Sequence, residues 1–140
     1  MDRAAAGEVS LAYEAVGPTA PGGAPAAAIP RPPLVLLPGL GMRVEHWAPH
    51  LPILAARRRV IALDLRGGAA STAPPGPYTI PELAVDVAAA LDTLGLDRVD
   101  LLGLSMGGFV AQELALARPA RVRRLVLALT ARRPSPRGRE

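Results

Sequence analysis

The sequence predicts an α/β fold of three layers, with helices on both faces of a mostly parallel sheet. Three observations predict it. Short, predominantly apolar runs recur along the chain (LVLL at 34–37, VIAL at 60–63, VDLL at 99–102), and such runs suit strands buried on both faces. Helical patterns separate them, which favours right-handed parallel crossovers. At the end of the third run lies LLGLSMGGF, residues 101–109, a serine with glycine two positions to either side.

In chain order, Val9–Val16 partly alternates and reads as a strand, the second arm of an N-terminal hairpin. The Pro/Gly-rich stretch 18–33 reads as a loop. Leu34–Leu37 is the first buried strand. Glu45–Ala56 is expected to be a helix, confined by Pro49 and Pro52. Val60–Leu63 is the second buried strand, ending at Asp64, and a loop follows through Pro77. Thr79 and Glu82 fit a capping box with Pro81 in the first turn. The helix they start carries Leu83, Val87, Leu91 and Leu94 on one face, with Glu82, Asp86 and Thr93 on another, and Gly95 stops it. Val99–Leu102 is the third buried strand, Gly107–Ala117 an almost wholly apolar helix closed by Arg118-Pro119, and Val122–Leu129 the fourth strand. Residues 1–130 therefore read as one folding unit and 131–140 as a disordered basic tail.

Composition narrows the function. The 140 residues contain no cysteine, which excludes disulfides, thiolate metal sites and a cysteine nucleophile. The opening residues have no signal-peptide core, and no apolar run is long enough to span a bilayer, so a cytoplasmic protein without membrane contact is expected. The net charge is +4, and all sixteen basic residues are arginine. Lysine and asparagine are both missing, while Ala, Pro and Gly abound; that combination fits coding bias better than nucleic-acid binding. The C-terminal arginines lack interleaved aromatics for base stacking, so no nucleic-acid partner is expected.

Ser105 lies where chemistry sits in a parallel sheet, at a strand's carboxyl end. A tight strand-to-helix turn forces its central residue into a strained backbone and presses strand on helix. Side chains at Gly103 and Gly107 would clash, the hydroxyl is lifted clear, and the Met106 N–H is left free at a helix start. The alternative is that Ser105 is an ordinary helix N-cap.

On these residues the chain resembles the α/β-hydrolase family from about Val9 to Thr130. LVLLPGLG (34–41) is similar to the family's strand and oxyanion loop. WAPHLPILAARRRVIALDLRG (47–67) matches the next helix, strand and Asp-x-Arg-Gly turn. GLSMGGFVAQELALARPARVRRLVLA (103–128) resembles the nucleophile elbow with its helix and following strand. GLSMGG occurs often in the esterase, lactonase and cofactor-free haloperoxidase branches. The resemblance implies a serine hydrolase acting on a carboxylic ester or lactone through an acyl-enzyme, with Ser105 as nucleophile and the backbone N–H groups of Leu40 and Met106 as the oxyanion hole. It implies no cofactor and no metal. Two departures stand out: Pro38 replaces the usual His before Gly39, and Gly68-Ala69-Ala70-Ser71 replaces His-Gly-x-Ser.

The family places its acid and histidine after the serine. Beyond Ser105 this sequence has no Asp and no His, and its only carboxylates there are Glu113 and Glu140. His46 and His50 precede the serine; His46 follows the oxyanion loop, but both read more simply as polar surface residues beside Trp47. Asp64 reads as a strand-end cap paired with Arg66. The expectation is therefore the N-terminal half of a hydrolase domain, incomplete as a catalyst, with a catalytically inactive half-domain needing a partner chain as the alternative. Strand 122–129 is then an open edge through which the chain could associate with itself.

Overall fold

The computed structural model describes residues 1–18 and 31–132. The central part of the loop read at 18–33 and most of the tail read at 131–140 lie outside the described residues. Six strands form one sheet in the order β1-β2-β4-β3-β5-β6. β1 (Asp2–Ala6) and β2 (Val9–Val16) form the N-terminal hairpin, and β2 runs antiparallel to β4 (Val60–Leu63). β3 (Leu34–Leu37) lies between β4 and β5 (Val99–Leu104), and β6 (Val122–Ala128) flanks β5; these pairings are parallel. All residues of β3 and β4 are buried, because both sheet faces are covered.

On one face pack α2 (Ile80–Thr93) and α3 (Met106–Ala117). Leu83, Val87 and Leu91 of α2 meet Leu101, Val110 and Leu114 in the larger core. Thr79 caps α2 as its sequence predicts: its Oγ accepts the Glu82 N–H, and the Glu82 carboxylate accepts the Thr79 N–H at 2.8 Å. The other face is covered by a 3₁₀ turn at Val44–Trp47 and the short α1 (Leu51–Leu54), whose Val44, Trp47 and Leu51 pack on Leu36 and Ala62. The single helix expected over Glu45–Ala56 is thus two short pieces. Pro49 and Pro52 have no N–H to donate to a continuous ladder, so the helix cannot propagate between them. Two strand ends also differ, by two residues and by one. β5 runs on to Leu104, and β6 ends at Ala128 because Leu129 takes a positive φ of 49°.

Asp86, read from the helical pattern as a polar-face residue, is buried. It receives Arg66 in a two-pronged ion pair, Nε at 2.7 Å and Nη2 at 2.8 Å. The pairing expected between Arg66 and Asp64 is therefore not formed. Asp64 is buried and accepts the Val44 N–H at 2.8 Å. Burial pushes its carboxyl above the ordinary value, and the backbone donors offset that only in part. Asp64 thus ties β4 to the 3₁₀ turn instead of pairing with Arg66.

A third buried carboxylate, Asp100, lies at the start of β5. Arg58 before β4 and Arg123 on β6 both bond to it, each at 2.7 Å, so one side chain joins three strands' ends. β6 is a sheet edge among the described residues, and Val126 on it is half exposed (50%). No helix of the described residues is long and apolar enough to cross a membrane.

Burial alone would raise the Asp100 carboxyl, but the Arg123 and Arg58 guanidinium groups outweigh it and hold the group below its usual range. Its stabilisation is therefore complete above the unfolded value of about 3.9 and fades as the pH falls through the lower folded value. Asp100→Asn should cost about 2–3 kcal/mol at neutral pH in urea titrations, and the cost should shrink below about pH 4. A pH-independent cost would refute the assignment.

Candidate active site

The chain order runs from β3 outward to β4 and later from β5 outward to β6, so the topology reverses between β3 and β5. A crevice opens at such a switch point, outside the strands' carboxyl ends. Two loops meet there: Pro38–Arg43 after β3, and the turn at Ser105 between β5 and α3.

Ser105 has φ 51° and ψ −115°, a conformation that an L-residue holds only under constraint. It stands at the N-cap position of α3, yet its side chain makes no capping hydrogen bond. The ordinary N-cap reading therefore fails. The exposed hydroxyl is left available, while the backbone is held: the Ser105 N–H donates to Ala128 O and its carbonyl accepts the Gly108 N–H, both at 2.9 Å.

The glycines explain how the turn closes. A Cβ on Gly103 would lie 2.4 Å from Gly107 O, and one on Gly107 would lie 2.4 Å from Leu37 O. Both obstacles are backbone, which cannot swing aside. Gly108 is equally tight, since a Cβ there would meet the Thr130 side chain at 2.5 Å. Strand, helix and the neighbouring strand are thus in backbone contact around one serine.

Gly39 carries the other loop against it: a Cβ built there would lie 3.3 Å from Ser105 Cβ. Leu40 follows with its side chain in solvent. Among the hydrogen bonds of the described residues, neither the Leu40 nor the Met106 N–H is a backbone donor. For Met106 this follows from its place in the first turn of α3, where N–H groups have no partner within the helix. Pro38, which replaces the expected His, lies before Gly39 and leaves the Leu40 N–H intact.

Beside these loops opens a cleft of about 480 Å³, walled by Gly39, Leu40, Met42, Leu65, Tyr78 and Met106 among others. Ser105 does not line it; its neighbours Gly39 and Met106 do. The replaced loop after Gly67 is tied in by Ser71, whose role no local pattern signals. Ser71 Oγ donates to Asp64 O at 2.8 Å and accepts the Ala12 N–H at 2.9 Å. Arg66 also reaches over the Tyr78 ring, 5.8 Å from its centroid, fixing that wall. His46 and His50 are exposed on the segment beyond Arg43, and His46 Nδ1 accepts the Arg43 N–H at 2.9 Å within its own turn. Among the described residues no cluster of His, Cys, Asp or Glu could hold a metal ion.

This architecture defines a class of protein, and comparison with known sequences agrees. The sequence pattern of the alpha/beta hydrolase fold matches residues 32–137, so the chain belongs to that family. It is similar to a 3-oxoadipate enol-lactonase 2 of Acinetobacter baylyi, 38% identical over 101 residues, covering 72% of this chain and 38% of that protein. A pimeloyl-[acyl-carrier protein] methyl ester esterase of Aeromonas hydrophila is 44% identical over 96 residues, covering 68% of this chain and 36% of the esterase. Among solved structures, the enol-lactonase from Burkholderia xenovorans superposes with a TM-score of 0.83 at 36% identity, over 93% of this chain and 47% of that one. The chain thus spans between about a third and a half of the length of these relatives.

The contacts at the turn give opposite expectations for substitutions. Gly103→Ala and Gly107→Ala should each cost more than about 3 kcal/mol in urea unfolding, because backbone must move. Gly7→Ala, at φ 63° with nothing within 4 Å, should cost only about 1 kcal/mol. Ser105→Gly should instead stabilise by about 1 kcal/mol by releasing the strained φ. A neutral Gly107→Ala would show that the turn is looser than this packing requires.

Proposed function

We propose that this chain carries the nucleophile half of a serine hydrolase acting on a carboxylic ester or lactone. The observation that carries the reading is the strained, uncapped, exposed Ser105 at the sheet's switch point, with Gly39 pressed against it. In this reading the Ser105 turn is a nucleophile elbow. The Oγ adds to the substrate carbonyl carbon, and the carbonyl oxygen takes the negative charge. The N–H groups of Leu40 and Met106 receive that charge; each such donor is worth about 10²–10³-fold in rate. Collapse of the adduct expels the alkoxide and leaves an acyl-enzyme, which water then hydrolyses. The proton leaving Oγ needs a base, which passes it to the alkoxide. The sequence after Ser105 supplies no histidine, so the base and its orienting acid belong outside these 140 residues. The enol-lactonase and esterase relatives favour the ester or lactone class and a small-molecule substrate, the family resemblance favours a cofactor-free reaction, and the opening residues without a signal-peptide core favour a cytoplasmic setting.

A second reading is favoured by the uncovered edge. Leu125, Val126 and Leu127 are exposed on β6, and an unpaired strand with apolar flanks invites pairing. The chain would then be a half-domain that binds a partner chain supplying the rest, or that associates with itself through strand 122–129.

A fluorophosphonate probe tests the first reading. Labelling of the purified chain should be slow, should map to Ser105 and should vanish in Ser105→Ala. The missing base corresponds to a loss of about 10⁶-fold in kcat in serine protease series. Fast labelling would mean that a base is present within the chain, and no labelling even after long exposure would remove Ser105 as a nucleophile. Sedimentation velocity tests the second: the chain should run larger than a monomer, and Val126→Arg should return it to a monomer. A monomer at high concentration with unchanged Val126→Arg behaviour would rule out self-association.

A further inference from the structure

The cleft beside Ser105 is lined mainly by apolar residues and glycines, yet two arginines line it, Arg43 and Arg66, and no carboxylate does. Their situations differ. Arg66 is fully engaged, with two hydrogen bonds to Asp86, a longer approach to Glu82 at 3.9 Å and the Tyr78 ring beneath it. Arg43 is exposed, and among the described residues its side chain has no ion-pair partner. Neither neighbouring carboxylate forms an ion pair with it: buried Asp64 accepts the Val44 N–H through Oδ1 and feels the Arg43 charge only from beyond ion-pair distance, and Glu45 stands exposed on the 3₁₀ turn.

The loop places Arg43 on the wall that also holds Gly39 and Met106, which flank Ser105. The Met42 N–H donates to Gly39 O at 3.1 Å, so Gly39–Met42 is a tight turn, and Arg43 lines the same cleft as Gly39 and Leu40. In a mainly apolar binding cleft, a charged group without an ion-pair partner is what orients the ligand and gives selectivity. A planar guanidinium suits a carboxylate through paired hydrogen bonds.

We propose that Arg43 anchors a carboxylate of the substrate, so that the cleft takes anionic esters or lactones in preference to neutral ones. The word substrate rests on the hydrolase reading of Ser105; the binding preference does not. Arg43→Gln is a conservative probe, because the backbone N–H that bonds to His46 is kept and the side chain is exposed.

The test is calorimetric titration of the 140-residue chain carrying Ser105→Ala, so that no ester is consumed. The ligands are monobenzyl succinate, with a free carboxylate, and its neutral counterpart benzyl methyl succinate. The acid should bind about fivefold more tightly than the diester, and the preference should weaken as ionic strength rises. In Arg43→Gln the preference should vanish while the affinity for the diester stays unchanged. Equal affinity for the two ligands, a preference that survives Arg43→Gln, or no binding of either would overturn the proposal. Failure of the hydrolase reading shows separately: Ser105 would resist the fluorophosphonate while the Arg43-dependent preference remained.

Discussion

The structure around the candidate site depends on one close approach of backbone to backbone. β5 must turn into α3 within a single residue, and α3 must then lie directly on β5 and β3. Gly103 faces the carbonyl of Gly107, and Gly107 faces the carbonyl of Leu37, each with no room for a methyl group. The strain at Ser105 follows from this, since a residue in a relaxed extended or helical conformation could not make the turn. So does the position of the hydroxyl: a side chain leaving the apex of such a turn points away from both elements. The ladder bond from Ser105 N–H to Ala128 O shows that β6 supports the apex from the other side.

Electrostatics does a different job in this fold. The two strongly paired carboxylates, Asp86 and Asp100, are buried, and both bind arginines that are themselves largely covered. Buried pairs of this kind add little net stability relative to apolar packing, but losing one partner is costly. Their effect here is positional. Asp100 holds the entrances of β4, β5 and β6 in register, and Asp86 draws Arg66 off the Asp-x-Arg-Gly turn and over Tyr78, shaping a wall of the cleft. Asp64 serves the same end without an ion pair, by receiving the N–H of Val44. The site is thus framed by carboxylates that face inward, leaving the cleft itself without negative charge.

Much of this was legible from residues in chain order. The runs at 34–37, 60–63 and 99–102, apolar but for Asp100, marked the central strands because strands buried on both faces need no polar alternation. The Thr79–Glu82 box is a local signal and reads locally. The glycine pattern around Ser105 announced a turn that tolerates no side chain. Legibility failed where the deciding contact was distant. Asp86 sits on a helical pattern that looks amphipathic, and only the arrival of Arg66 from another element makes its burial tolerable. Ser71 looks like loop polarity until Ala12, from β2, is brought beside it. The helix expected over Glu45–Ala56 differs for a local reason: Pro49 and Pro52 do not merely confine the segment but divide it.

The sequence by itself determined the class of fold, the order of its strands and helices, and the residue at the apex of the central turn, because these rest on short-range periodicity and on glycine's lack of a side chain. Tertiary structure alone decided which loops meet at that apex, which carboxylates are buried, and that Arg43 rather than Arg66 is left without an ion-pair partner beside the cleft. Those outcomes depend on pairings between residues far apart in the chain, such as Arg66 with Asp86, and a linear pattern contains no record of which distant partner a charge will find once the sheet has closed around it.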